Sequence, residues 1–410
     1  MIGRLENMKV YLDNNATTKI DPLVVKEMMP YLNEFYGNAS SMHDFGVPAA
    51  KALETARERV RAYIGAEKTS EIIFTSCATE SDSTAIYSAI QASPEKKEII
   101  TSVVEHPAIL QVCAHLEEKG YTVHRVPVDS KGNLDLDFYK SKLSDKVAIA
   151  SVMWGNNETG NLYPIPEMAA MAHEKGVLFH TDAVQVMGKI HVNVAATDID
   201  MLSFSGHKLH APKGVGALYV RFGTRFRNFM RGGHQERGRR AGTENVASIA
   251  ALGKACELSG QYVRFCQNEI ARLRDKLERG IIARVPKCFA TGNPESRVCN
   301  TSNIAFEFVE GEGILLKLNQ AGIAASSGSA CTSGSLEPSH VMMAMKLPFT
   351  AAHGTIRFSL SRFTTEAEID YVIDQVPRII GELREMSPYW KHIVDGTPDF
   401  NPDYKGTLGK

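Results

Sequence analysis

The sequence predicts an α/β protein built on a mostly parallel sheet, with a smaller α+β unit attached. Three observations carry this. Seven short apolar runs alternate with helical patterns between residues 71 and 221. Several of these runs are rich in Val and Ile and apolar on both faces, as strands sandwiched between helical layers must be. From about residue 244 the alternation stops and long helix takes over as far as 283.

In chain order, Leu53, Ala56, Val60 and Ile64 recur at helical spacing and Gly65 follows as a stop, which predicts an amphipathic helix over 48–64. The seven strand runs are EIIFT (71–75), EIITSVV (98–104), TVHRVPV (122–128), VAIASVMW (147–154), VLFHT (177–181), DMLSFS (200–205) and GALYVR (216–221). NIAFEF (303–308), TIRFSLS (355–361) and a terminal helix near 365–386 supply the smaller unit, and the Pro- and Gly-rich tail is expected to be irregular. The expected division is residues 15–260 for the large unit and 1–14 with 261–410 for the small one. At 410 residues the chain exceeds what a single growing core accommodates, so two units fit better than one.

Composition narrows the function. A net charge of −1 on 46 basic and 47 acidic residues gives no global field for nucleic acid or anionic lipid. The stretch RGGHQERGRR (231–240) is locally basic, but no aromatic residues are interleaved for base stacking, so no nucleic-acid partner is expected. No apolar run is long enough to span a bilayer and MIGRLENMKV lacks the apolar core of a signal peptide, so no membrane partner and a cytoplasmic location are expected. Met8 offers a natural start that would leave residues 1–7 as a loose extension.

Seven cysteines, an odd number without a C-x-x-C pair, argue against a disulfide framework or zinc module. His207 and His210 lie three apart, but acidic or cysteine partners for a metal are missing nearby. Cys113 sits in the helical pattern AILQVCAHLEEKG, where a small apolar residue packs. Cys331 is different: SSGSACTSGS (326–335) surrounds it with seven Ser or Gly, a pliable and polar tether.

In open α/β sheets ligands sit where strands end, so polar clusters after strand signals matter most. After EIIFT comes SCATES, with Thr79 at a helix start suited to phosphate, or serving as a plain N-cap. After EIITSVV comes His106, a helix cap or a catalytic group. VLFHT leads into Asp182 and then Gln185; the acid either holds a protonated ring nitrogen or caps a turn. DMLSFS leads into Ser205, His207 and Lys208, and a lysine directly behind a buried strand is poorly placed for solvent. An acid and a lysine ending two strands over one pocket are what pyridoxal phosphate requires: an amine to hold the cofactor covalently and a carboxylate to keep its pyridine nitrogen protonated.

YLDNNATT (11–18), SCATES (76–81), VVEHPA (103–108), VMWGNNETG (152–160), FHTDAVQ (179–185), SFSGHKLHAPKGVG (203–216), RGGHQERGRRAGTEN (231–245), SSGSACTSGS and TIRFSLSRFTTE (355–366) together resemble the cysteine desulfurases, most closely the NifS type associated with nitrogen fixation. The resemblance covers essentially the whole chain beyond residue 8. It implies the fold type I architecture of pyridoxal phosphate enzymes, a homodimer, and conversion of L-cysteine to L-alanine with the sulfur left as a persulfide on Cys331.

By the same resemblance, Lys208 binds the cofactor covalently, Asp182 pairs with its ring nitrogen and His106 stacks on the ring. Ala78, Thr79, Ser205 and His207 hold the phosphate, with Thr243 joining from the partner subunit, and Gly206 belongs to the cofactor-binding set. Ala78 stands where relatives can have Gly, and both are small. Asn157 and Gln185 contact the cofactor's phenolic oxygen or the substrate, and Arg357 clamps the substrate carboxylate, a task that its planar fork suits. A NifU-like iron–sulfur scaffold is the implied sulfur acceptor, and Cys331 is a candidate transient iron–sulfur ligand through its persulfide. A selenocysteine lyase, or another transferase with the same cofactor, is the alternative expectation.

Overall fold

The protein was analysed as a computed structural model that describes residues 8–327, 338–387 and 390. After the short β1 (Val10–Tyr11) come seven strands that form the central sheet: β2 (Ile72–Thr75), β3 (Glu98–Ser102), β4 (Thr122–Val126), β5 (Val147–Ser151), β6 (Leu178–Asp182), β7 (Met201–Ser205) and β8 (Gly216–Val220). Their spatial order is β2-β8-β7-β6-β5-β3-β4. The pairings β4/β3, β3/β5, β5/β6 and β6/β7 are parallel, whereas β8 runs antiparallel to both β7 and β2. The sheet is thus mostly parallel, as the two-faced apolar runs predict.

Strands β5, β7 and β8 are buried along their whole length because helices cover both faces. One apolar cluster joins Val60, Ile100, Phe179 and Leu252 on one side, and another joins Ile86, Ile99, Ile149 and Leu218 on the other. The helix Val47–Ile64 starts one residue before the expected position and ends at Gly65, in the left-handed region at φ 68°. It packs against the helix Val246–Phe265 closely enough that a Cβ on Gly253 would lie 2.6 Å from Ala56 Cα, so only glycine fits that crossing.

A three-stranded antiparallel sheet is made by β9 (Cys288–Ala290), β10 (Thr301–Phe306) and, after the short β11 (Ile323–Ala324), β12 (Thr355–Ser359). β11 pairs in parallel with β1, which draws the N-terminal segment onto this unit. Val10, Leu12, Leu277, Phe306, Phe358 and Val376 share its apolar cluster. The helix Glu366–Met386 opens with a capping box between Thr365 and Glu368, the expected start to within a residue. Among the described residues no helix is long and apolar enough to cross a membrane.

Candidate active site

The carboxyl ends of β2, β3, β5, β6 and β7 converge on one cavity of about 350 Å³, within the range of roughly 300–1,000 Å³ usual for small-molecule sites. Ala78, Thr79, His106, Asn157, Asp182, Gln185, Ser205, His207, Lys208 and Arg357 all line it. Residues far apart in sequence therefore meet because each follows the end of a strand in the same sheet, apart from Arg357, which comes from β12.

At one end lies the start of the helix Ala78–Ala92. Cys77 occupies its N-cap and makes no side-chain capping bond, so the first backbone N–H groups, in residues that line the cavity, have no side-chain cap. Thr79 is itself helical, which overturns the N-cap alternative for that residue. Glu80 instead reaches back to the Ser76 N–H at 2.7 Å and is held by Arg240 at 2.8 Å. Beside this helix, β7 runs out at Ser205 into the short turn Gly206–Lys208. Gly206 lies beneath the wall, its N–H donated to Val215 O at 2.9 Å, and a Cβ there would meet Val215 Cγ1 at 2.9 Å. His207 Nδ1 lies 3.2 Å from Thr17 Oγ1, so the N-terminal segment braces the same end.

Lys208 Nζ donates to the carbonyls of Asn15 and Ala16 at 2.5 and 2.7 Å. Asp182, at the end of β6, accepts from the Val184 N–H at 2.9 Å, so it caps a turn, and it also lines the cavity. Burial pushes its carboxyl up to about 6, with the Val184 N–H and Lys208 pulling the other way. His106 caps its helix, Nδ1 accepting from the Ala108 N–H at 3.2 Å, and it also lines the cavity. Burial, then the charges of Lys208 and His340, push its imidazole down to about 4, which leaves a neutral ring at physiological pH. Arg357 is 4% exposed, paired with Asp13 at 2.8 Å and donating to Asn157 O at 2.9 Å.

Several wall residues escaped the sequence reading. Asn15 and Ala16 sit in the quoted YLDNNATT motif, yet only the fold reveals that their carbonyls receive Lys208. Asp82, 1% exposed, lines the cavity with Asp182, its Oδ1 3.6 Å from His180 Nε2. Burial and the neighbouring Asp182 charge hold the Asp82 carboxyl well above the usual carboxylate range. Its signal was available: an acid on the core-facing side of a helix is a costly choice.

Thr243 is exposed and does not line this chain's own cavity. Cys331 lies outside the described residues, and so do its suggested metal role and most of the 326–335 stretch. The described chain approaches that stretch at Ser326, which exchanges two backbone hydrogen bonds with Arg357, at 2.7 and 3.2 Å. It resumes beyond it with Ser339 bonded to Glu158 at 2.5 Å and His340 Nε2 2.9 Å from Glu105 O. Among the described residues no three His, Cys, Asp or Glu side chains form a cluster able to hold a metal ion. In the basic loop, Arg240 pairs with Glu80, Arg239 bonds the Ser70 carbonyl, and Glu236 pairs with the buried Arg57 at 2.7 Å, so these charges serve internal contacts.

The description of class-V aminotransferases matches residues 10–372. The chain is 62% identical over 398 residues to cysteine desulfurase NifS of Azotobacter vinelandii, spanning 96% of this chain and 99% of that one. It is 60% identical over 398 residues to a cysteine desulfurase of Klebsiella pneumoniae, spanning 97% and 99%. A solved structure titled NifS-like protein superposes with a TM-score of 0.86 at 36% identity, over 92% of this chain and 100% of that one. With its strand ends, lysine and aspartate arranged as described, the chain belongs to the class-V aminotransferase family and, within it, to the cysteine desulfurases of NifS type.

Proposed function

We propose that this protein removes sulfur from L-cysteine, releasing L-alanine and leaving the sulfur as a persulfide on Cys331. The observation that carries the proposal is the placement of Lys208 and Asp182 on the wall of one cavity, at the ends of adjacent parallel strands. The cofactor is pyridoxal phosphate, and the residues present fit it. A helix start without a side-chain cap, together with Thr79, Ser205 and His207, suits a phosphate. A buried carboxylate suits a ring nitrogen, a lysine amine suits an aldehyde, and the neutral His106 ring suits an aromatic face. When bound, the cofactor supplies an electron sink that makes the substrate α-proton acidic and loosens the bond to sulfur.

The chain's own residues do the rest. Arg357 orients the substrate through its carboxylate, with donors beyond the two bonds described. Lys208 moves the α-proton. The Cys331 thiolate attacks the substrate sulfur, so that an S–S bond forms as the C–S bond breaks. The electron pair stays with the three-carbon fragment, which takes up a proton and leaves as alanine. Replacing Arg357 with Lys keeps the charge but loses the fork; the expected result is a KM for L-cysteine raised about 10- to 100-fold with a smaller change in kcat, measured by steady-state alanine formation.

A homodimer accounts for two further features. Leu32, Tyr36, Met42, Phe45 and Val47 are large, apolar and more than half exposed, a face suited to covering by a second copy. Glu244, next to Thr243, lines a groove with Met42 and Val47, which supports a role for Thr243 across that interface. The persulfide goes to a NifU-like scaffold for iron–sulfur cluster assembly in nitrogenase maturation, in the cytoplasm. The test is an absorbance spectrum of the purified protein before and after L-cysteine, with alanine and sulfide measured under a thiol reductant. A visible cofactor band that L-cysteine perturbs, with equal alanine and sulfide, is expected; a colourless protein, or alanine without sulfide, overturns the proposal.

A further inference from the structure

A second lysine stands just behind the cavity wall. Lys189 is 8% exposed, one helical turn of sequence beyond Gln185, and lysines are rarely buried this far without partners. Its Nζ lies 3.0 Å from Gln185 Oε1 and 3.3 Å from Asn15 Oδ1. Both partners are oxygens that only accept, so the amine donates to each. Gln185 Nε2 in turn donates to the Asn15 carbonyl at 3.1 Å.

These contacts leave the Gln185 amide one orientation. Turned over, its NH₂ would face the Lys189 amine and its oxygen would face a carbonyl, losing both bonds and leaving buried groups opposed. Of the two Nε2 protons one is taken by Asn15, and the other is what Gln185 has to offer the cavity that it lines. The same lysine steadies the Asn15 side chain, and the Asn15 carbonyl receives Lys208 Nζ at 2.5 Å.

We propose that Lys189 is a positioning residue that locks Gln185 as a hydrogen-bond donor toward the phenolic oxygen of the cofactor. This rests on the reading that Gln185 contacts that oxygen. A donor there favours the deprotonated oxygen, whereas a turned amide would present its own oxygen and disfavour it. Burial pushes the Lys189 amine down to about 7. The charged and titratable groups around it are Cys299, Lys208, Cys266 and Arg357, with His210 and Arg362 lining the small cavity at its back.

The test is a pH titration of the visible band of the holoenzyme without substrate, for the parent, Lys189→Met, Lys189→Arg, Gln185→Ala and the double variant Lys189→Met/Gln185→Ala. Lys189→Met is expected to raise the half-transition by about one pH unit, since the bond in question is to an ionised group. Lys189→Arg, still donor-only, stays within a few tenths of the parent. The double variant shifts no further than Gln185→Ala alone, because the lysine acts through the glutamine. Gln185→Ala shifting while Lys189→Met does not, or shifts that add in the double variant, overturns the role of Lys189. Gln185→Ala without a shift overturns the placement of Gln185 instead. A merely structural lysine would lower the melting temperature of the apoprotein in both Lys189 variants and leave the half-transition in place, which also overturns the proposal.

Discussion

Replacing Lys208 with Ala is expected to reduce desulfuration of L-cysteine by about 10⁴-fold or more, the upper range for loss of a group that transfers protons, here combined with loss of the covalent anchor. The side chain follows β7, is only partly buried, and its amine is held by two backbone carbonyls from the N-terminal segment. The variant should therefore fold, bind cofactor through the phosphate-end residues, and show a visible spectrum altered from the parent's. Sulfide release and the spectrum are the measurements. Turnover within tenfold of the parent would mean that Lys208 neither anchors the cofactor nor moves the proton, and the functional reading would fail.

Cys331→Ala is expected to lower sulfide release below roughly one part in a hundred while leaving the visible band, and its response to L-cysteine, intact. The cofactor end needs only the residues on the cavity wall, whereas removal of sulfur needs a thiolate brought to it. Ser326 is hydrogen-bonded to Arg357, and Cys331 is five residues further along, so chain length alone allows a reach of roughly 18 Å from the cavity wall. This variant separates the desulfurase from the alternatives. A transaminating enzyme would keep its activity without the thiol, and a selenocysteine lyase would turn over selenocysteine while L-cysteine stays inert in both proteins. Full sulfide release from Cys331→Ala refutes persulfide transfer through this residue.

The seven central strands were legible because burial on both faces forces continuous apolar runs, and each run ends within about three residues of its expected limit. The polar cluster after each strand was legible for a related reason: in a parallel sheet the carboxyl ends share one edge, so residues following them converge whatever their spacing in sequence. Helix starts were less so. Thr79 reads as a cap by type, but the cap position falls on Cys77, whose side chain makes no capping bond, so residue type alone does not mark the start.

What the sequence by itself determined is the class of the fold, the family, and that Lys208 and Asp182 end neighbouring strands, since periodicity and motif chemistry are local properties of the chain. Only the tertiary structure decided which backbone carbonyls receive Lys208, that Asp82 lines the cavity with Asp182, and that Lys189 meets Gln185 and Asn15. Asn15 and Lys189 are 174 residues apart, and a donor meets its acceptor over that separation only when the packed fold closes the distance and excludes the water that would otherwise bind each of them.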